Sequence, residues 1–223
     1  MKVTSPAFQA KAAAALHDAT LQKALKNVET GFVYKRAKAA SDLPGFEALR
    51  DAARDLKTHV LAHLDLYLEA FERKVTAAGG HVHWAETAED ARRIVTDICK
   101  RLGAKTVTKG KSMITEEIAL NDHLEAEGIR PVETDLGEYI IQLRGEHPSH
   151  IIAPAVHLTK EQVAGDFRRV HDHLAPERDL TEPVTLLQEA RGVLREQFMV
   201  ADVGITGANF LVAETGTSII VTN

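Results

Sequence analysis

Four stretches of this chain combine residue types able to do chemistry. From Gly204 to Asn223 the sequence reads GITGANFLVAETGTSIIVTN, with Glu214 among Thr206, Asn209, Thr215 and Thr217 around two glycine-rich turns. A carboxylate so placed can act as a base, as a nucleophile toward an activated acyl group, or as the acceptor of a ligand hydroxyl. The plain alternative is that the glycines permit tight turns while the hydroxyls satisfy local backbone. Small polar groups crowded at strand ends favour a binding site, with Glu214 as its catalytic candidate. Lys109-Gly110-Lys111-Ser112 joins a strand to a helix. Its backbone N–H groups and two ammonium groups would gather a phosphate or carboxylate, unless it is an ordinary turn with Ser112 at the helix cap. The Gly-x-x-x-x-Gly-Lys-Ser/Thr spacing of a Walker loop is absent.

The third stretch, Glu133-Thr134-Asp135-Leu136-Gly137-Glu138, places the carboxylates of Glu133, Asp135 and Glu138 at a strand's end. Such groups bind cations, act as bases, or neutralise Lys109 and Lys111 if the strand order brings them together; two held close push one pKa upward. A solvated acidic loop is the alternative. The fourth stretch holds His147, His150 and His157 around Ile151 to Ala153. Their spacing matches no metal pattern and no cysteine supplements them, so no metal is expected. Hydrogen-bonded roles fit better, with His150 and His157 as ligand-binding candidates. His59 and His63 stand at i, i+4, but Val60 occupies the place of a zincin's glutamate.

Positioning these groups requires strands alternating with helices. Residues 1–80 contain no convincing strand: an alanine-rich opening, a polar connection ending at Gly45, then an apolar rhythm from Phe46 to Ala78 that predicts one long helix stopped by Gly79-Gly80. Such a helix would be about 50 Å long, so its stripe from Leu49 to Val75 is expected to meet a partner surface. From residue 81 the texture changes. Strands are predicted at 81–85, 105–108, 130–134, 150–153 and 199–203, followed by a terminal antiparallel pair, and 139–143 is a short apolar element. Helices are predicted over 87–102 and 115–127, from a Thr159/Gln162 capping box to about 174, and from Pro183 to 197. This pattern predicts an α/β fold with a mainly parallel sheet covered on both faces, divided into a helical extension, 1–80, and an α/β domain, 81–223. The chain stops directly after a strand, as a domain cut from something longer would.

Composition narrows the function. A formal charge of −5, with acids and bases interleaved along helices, argues against a nucleic-acid partner. No apolar run reaches the roughly 20 residues of a membrane span, and no signal peptide opens the chain, so a cytoplasmic protein is expected. Cys99 is the single cysteine. One thiol makes neither a disulfide nor a four-cysteine iron–sulfur site; a small buried core residue is expected.

Taken in order, the blocks Lys111 to Asn121, Glu133 to Glu138, Pro148-Ser149-His150-Ile151 with Pro154-Ala155-Val156-His157, Gly204 to Asn209, and Ala213 to Thr217 resemble the lactate-utilisation iron–sulfur proteins of the LutB type. The resemblance covers the whole chain. It implies a LUD domain with the three-layer α/β/α fold of the NagB/RpiA/CoA-transferase-like superfamily, and membership of a cytoplasmic multi-subunit system that oxidises L-lactate to pyruvate. It also implies two [4Fe–4S] clusters in a ferredoxin-like segment after Asn223 that this sequence lacks, so no cofactor is expected in this chain. The expected role is a scaffold for the other subunits, with a possible homodimer, or a small-anion-binding domain. The alternative is an enzyme of the CoA-transferase or isomerase kind using Glu214, with Lys109 or Lys111 as its cation.

Overall fold

A computed structural model describes residues 5–221. The chain opens with α1 (Phe8–His17) and α2 (Ala19–Val28), then a π-helical turn, α3 (Tyr34–Asp42), α4 (Phe46–Ala62) and α5 (Leu64–Ala77). After α6 (Ala88–Arg101) come β1 (Thr106–Lys109), α7 (Met113–Glu117), α8 (Leu120–Ala126), β2 (Arg130–Glu133) and α9 (Leu136–Arg144). The chain continues through α10 (Lys160–Val170), α11 (Pro183–Val200), β3 (Val203–Ile205) and the hairpin β4 (Phe210–Val212) and β5 (Thr217–Ile219). Among the described residues two compact units result: 5–28 with 87–206, and 29–86 with 207–221.

The first unit is an α/β/α sandwich. Its sheet has the order β2-β1-β3, all parallel. On one face Val107 of β1 packs with Cys99 of α6 and with Leu120 and Leu124 of α8. On the other, Val132 of β2 packs with Tyr139 and Ile140 of α9, Phe167 of α10, and Leu186 and Leu194 of α11. The expected layered fold with a parallel sheet and amino-terminal helices is therefore present. The helix after β1 covers one face and the helix after β2 the other. Adjacent strands whose following helices diverge leave a crevice at their carboxyl ends, where open α/β sheets bind ligands.

Several elements differ from the sequence expectation. The long helix is two helices: His63, at φ −131° and ψ 35°, ends α4 and begins α5 without any proline or glycine to announce it. The helix expected at 115–127 begins at Met113, where Ser112 caps it, and breaks at Ala119, whose φ of 51° lies in the left-handed region. That conformation costs an alanine about 1–2 kcal/mol, and Arg92 secures the break by donating to the Ile118 carbonyl at 2.6 Å.

Residues 150–153 are not a strand. Proline flanks them, Ile151 is 64% exposed, and the N–H groups of Ile152 and Ala153 donate to His150 Nδ1 instead of a ladder. A local side chain has outcompeted the sheet. The third strand is Val203–Ile205, since α11 runs on through Val200 and Asp202 turns the chain by accepting from Lys105 N and Thr106 N at 2.8 and 3.0 Å. Residues 81–85 form no strand, and 139–143 belong to α9.

The second unit contains α3–α5 and the antiparallel hairpin β4–β5. The hairpin turn packs on the end of α5: a Cβ on Gly216 would lie 2.8 Å from Val75 N, and φ is +75° there, so glycine is required twice over. None of its described residues is buried. Leu49, Leu56 and Leu64 of the expected stripe are exposed, while Val60, Tyr67, Phe71 and Val75 are partly covered.

Candidate functional site

β1 and β2 end in Lys109 and Glu133. These residues are register partners in the parallel ladder, so their side chains leave the sheet on the same face. Lys109 Nζ lies 2.7 Å from Glu133 Oε1, and both side chains are almost wholly buried. Asn121 of α8 donates from Nδ2 to the same Oε1 at 2.7 Å, and Gln142 of α9 accepts from Glu133 N at 2.9 Å. Two buried acceptors remain without partners: Glu133 Oε2 and Asn121 Oδ1. Buried polar atoms are nearly always satisfied, so each of these can take a donor such as an ordered water or a ligand hydroxyl.

Glu138 stands in the first turn of α9 and is 4% exposed. Its carboxyl is pushed up to about 8, first by burial, then by its hydrogen bond to Glu116 and the negative charges of Glu116 and Glu133, with Lys111 opposing. It holds a proton at neutral pH. Lys111 Nζ donates to the Ile152 carbonyl, tying the 145–158 loop across the site. Pro154 of that loop is fully buried, with its Cγ where a Cβ on Gly137 would sit, 2.8 Å away. Gly110 is equally close-fitted: its N–H donates to Ile205 O at 2.7 Å, and a Cβ there would lie 3.0 Å from Thr206 Oγ1.

The structure thus gathers Lys109, Lys111, Glu133 and Glu138 in one neighbourhood. Ser112 is the α7 cap, its Oγ facing Thr115 N. Asp135 caps α9, accepting from Gly137 N at 3.0 Å and Glu138 N at 3.3 Å. His150 is spent on its own loop, and His157 bridges Ser149 and Glu146. Asn209, Glu214, Thr215 and Thr217 belong to the second unit. There Asn209 Oδ1 accepts from Val221 N at 2.8 Å, Thr215 and Thr217 bond each other at 2.8 Å, and Glu214 is exposed between the strands. Sequence reasoning gave no role to Glu116, Asn121 or Gln142. Glu116 and Asn121 stand on either side of the Ala119 break, and no residue there announces a left-handed turn.

No group of three or more His, Cys, Asp or Glu residues arranged for a metal occurs among the described residues. Nor do the residues fit an iron–sulfur cluster, for Cys99 is the one cysteine and is fully buried in the α6–α8 core. Among the described residues no helix is long and apolar enough to cross a membrane.

A protein-family model described as the LUD domain matches residues 68–223. Lactate utilization protein B of Bacillus subtilis (strain 168) is 40% identical over 224 residues, and its counterpart in Bacillus velezensis 41%. An uncharacterized electron transport protein, YkgF, of Escherichia coli (strain K12) is also 41% identical. Each alignment covers 100% of this chain and 46% of the relative, so the chain spans about half the length of the curated relatives it matches. No solved structure matches it.

Proposed function

Because the chain belongs to the LUD domain family, we propose that it serves lactate utilisation as a cytoplasmic ligand-binding domain that holds a small hydroxylated anion at the carboxyl ends of β1 and β2. One observation carries this reading: the buried Lys109–Glu133 pair keeps a carboxylate oxygen, Glu133 Oε2, with no donor. A ligand hydroxyl would supply that donor. The anionic group would take Lys111, displacing the Ile152 carbonyl, since a charged acceptor bonds an ammonium more strongly than a neutral one. L-Lactate offers both groups on adjacent atoms. Electron transfer, in a full-length protein of this kind, would fall to cluster ligands outside this chain.

Calorimetric titration with L-lactate and with propionate, which lacks only the hydroxyl, tests the reading. Lactate should bind at least about 10-fold more tightly, because propionate leaves the buried acceptor unpaired. Equal affinities, or no heat from lactate, would overturn it.

A docking role is favoured by the second unit, where Leu49, Leu56, Leu61, Leu64 and Leu66 of α4 and α5 are all at least 41% exposed. Apolar faces of this kind mark partner surfaces, and the other subunits of a lactate-utilisation system would cover this one. Leu64→Asp should keep the far-UV circular dichroism unchanged while cutting co-purification with those subunits about 10-fold or more, each leucine burying on the order of 1.5–3 kcal/mol. Undiminished co-purification would remove the docking role, and an unfolded variant would make Leu64 a core residue.

A further inference from the structure

Apart from the lysine–glutamate crevice, the geometry points to a second centre: a serine nucleophile, Ser149, served by His157 and Glu146, that transfers short acyl groups from esters or thioesters to water. Ser149 Oγ lies 2.8 Å from His157 Nδ1. The opposite ring nitrogen, Nε2, lies 3.0 Å from Glu146 Oε2. Arg144 Nε donates to the other Glu146 oxygen at 2.8 Å, and Arg144 Nη1 is itself held by Asp166 at 2.6 Å. Nucleophile, base and orienting carboxylate are recognised by these roles rather than by chain order. The two ring nitrogens are exchanged relative to the usual arrangement, which leaves the proton path intact.

The local fold explains the placement. Gly145 ends α9 in a left-handed conformation and sends Glu146 outward, and buried Pro154 anchors the return of the loop that brings His157 back to Ser149. Ser149 is exposed, whereas the His157 side chain is 20% exposed, so the nucleophile is open and its base is shielded. Burial works to raise the Glu146 carboxyl, but its hydrogen bonds to His157 and Arg144 prevail and hold it below the usual range. The orienting group is therefore charged at neutral pH.

The serine hydroxyl has a second acceptor, the Pro154 carbonyl at 2.9 Å. When His157 carries both ring protons it donates to Ser149 and Glu146, and the hydroxyl proton goes to Pro154. When Nδ1 is the bare ring nitrogen, the hydroxyl donates to His157 instead. The charged groups facing that ring are Glu146 and, behind it, Arg144 and Asp166.

In the acylation step Ser149 Oγ bonds to the acyl carbon while its proton passes to His157 Nδ1. The acyl–oxygen or acyl–sulfur bond breaks, and the departing alcohol or thiol takes that proton. Water then adds to the acyl-serine, giving a proton to Nδ1, and the acid leaves as Ser149 regains its proton. The adjacent N–H groups of Ile152 and Ala153 converge on one point, now filled by His150 Nδ1 at 3.1 and 3.2 Å. With that ring turned away they form a donor pair for the oxyanion. Exposed Ile151 and Ile152, 64% and 63%, suit a short aliphatic acyl chain.

A fluorophosphonate probe on the full chain, read by intact and peptide mass, tests the proposal, with p-nitrophenyl butyrate as the turnover substrate. One adduct is expected, on Ser149, and none in Ser149→Ala. His157→Gln should label at least about 100-fold more slowly. If that variant fails to fold by circular dichroism, Glu146→Gln should slow labelling about 10-fold or more. The absence of any Ser149 adduct on the folded parent overturns the proposal, as does a labelling rate that neither folded variant changes.

Discussion

Lys109→Met should lower the stability of the chain by about 3–5 kcal/mol, the range found when one partner of a buried ion pair is removed. Lys109 is 1% exposed and its ammonium is the cationic partner of Glu133. The methionine chain fills most of the vacated space, so little of the loss comes from a cavity. What remains is a buried carboxylate with only Asn121 donating to it. The double variant Lys109→Met, Glu133→Leu should recover most of the loss, because a buried pair exchanged for apolar side chains of similar size is often neutral. Urea midpoints followed by far-UV circular dichroism would show both effects. Lactate binding should vanish in the double variant even where stability returns, which separates the pair's proposed binding role from its structural one. A single-variant cost below about 1 kcal/mol would mean that the pair is not buried as described.

How far this site was legible in the sequence depends on what each residue's signal competed with. Lys109 and Glu133 were marked by their places at strand ends, and both strands formed close to where the apolar runs predicted. Their pairing follows from parallel register, which no sequence motif encodes. Asp135 and Glu138 carried a helix-start signal, an Asp followed three residues later by Glu, with Gly145 as the matching stop. The acidic cluster predicts ligand contacts instead, and the apolar run Tyr139 to Leu143 predicts a short element where the structure has the buried face of α9. The capping boxes told more: Thr159 with Gln162 is present as a reciprocal box, and Thr87 caps α6.

The strand predicted at 150–153 is absent for a different reason. Its residues have the β-branched composition of a strand, yet Pro148 and Pro154 bracket it and His150 takes its N–H groups. Tertiary and side-chain hydrogen bonding decided the outcome, and neither is visible in a propensity. The same holds for the breaks at His63 and Ala119. Without them α4 and α5 would be one rod, and Glu116 and Asn121 would not stand on either side of a turn.

Glu138→Gln should abolish most of the pH dependence of stability between about pH 4.5 and 8. The carboxyl is raised from 4.5 to about 8 in the folded chain, chiefly by burial and by Glu116 beside it. In that window the folded state keeps a proton that the unfolded state has released, so stability falls as pH rises, by about 1.4 kcal/mol per unit. The stabilising contribution is complete below pH 4.5 and has been lost once pH passes the folded value; the accumulated loss is on the order of 5 kcal/mol. Glutamine keeps the shape and the donor toward Glu116 but cannot ionise. Wild type and variant should therefore be nearly equal at pH 4.5, and the variant more stable by a few kcal/mol at pH 8.5, in urea titrations across that range. Parallel stability curves would show that Glu138 is not the proton-holding group. The same proton bears on the proposed anion site. Above about pH 8 an ionised Glu138 would add a negative charge beside Lys111 and Glu133, so affinity for a small anion should fall there in the parent and stay level in Glu138→Gln.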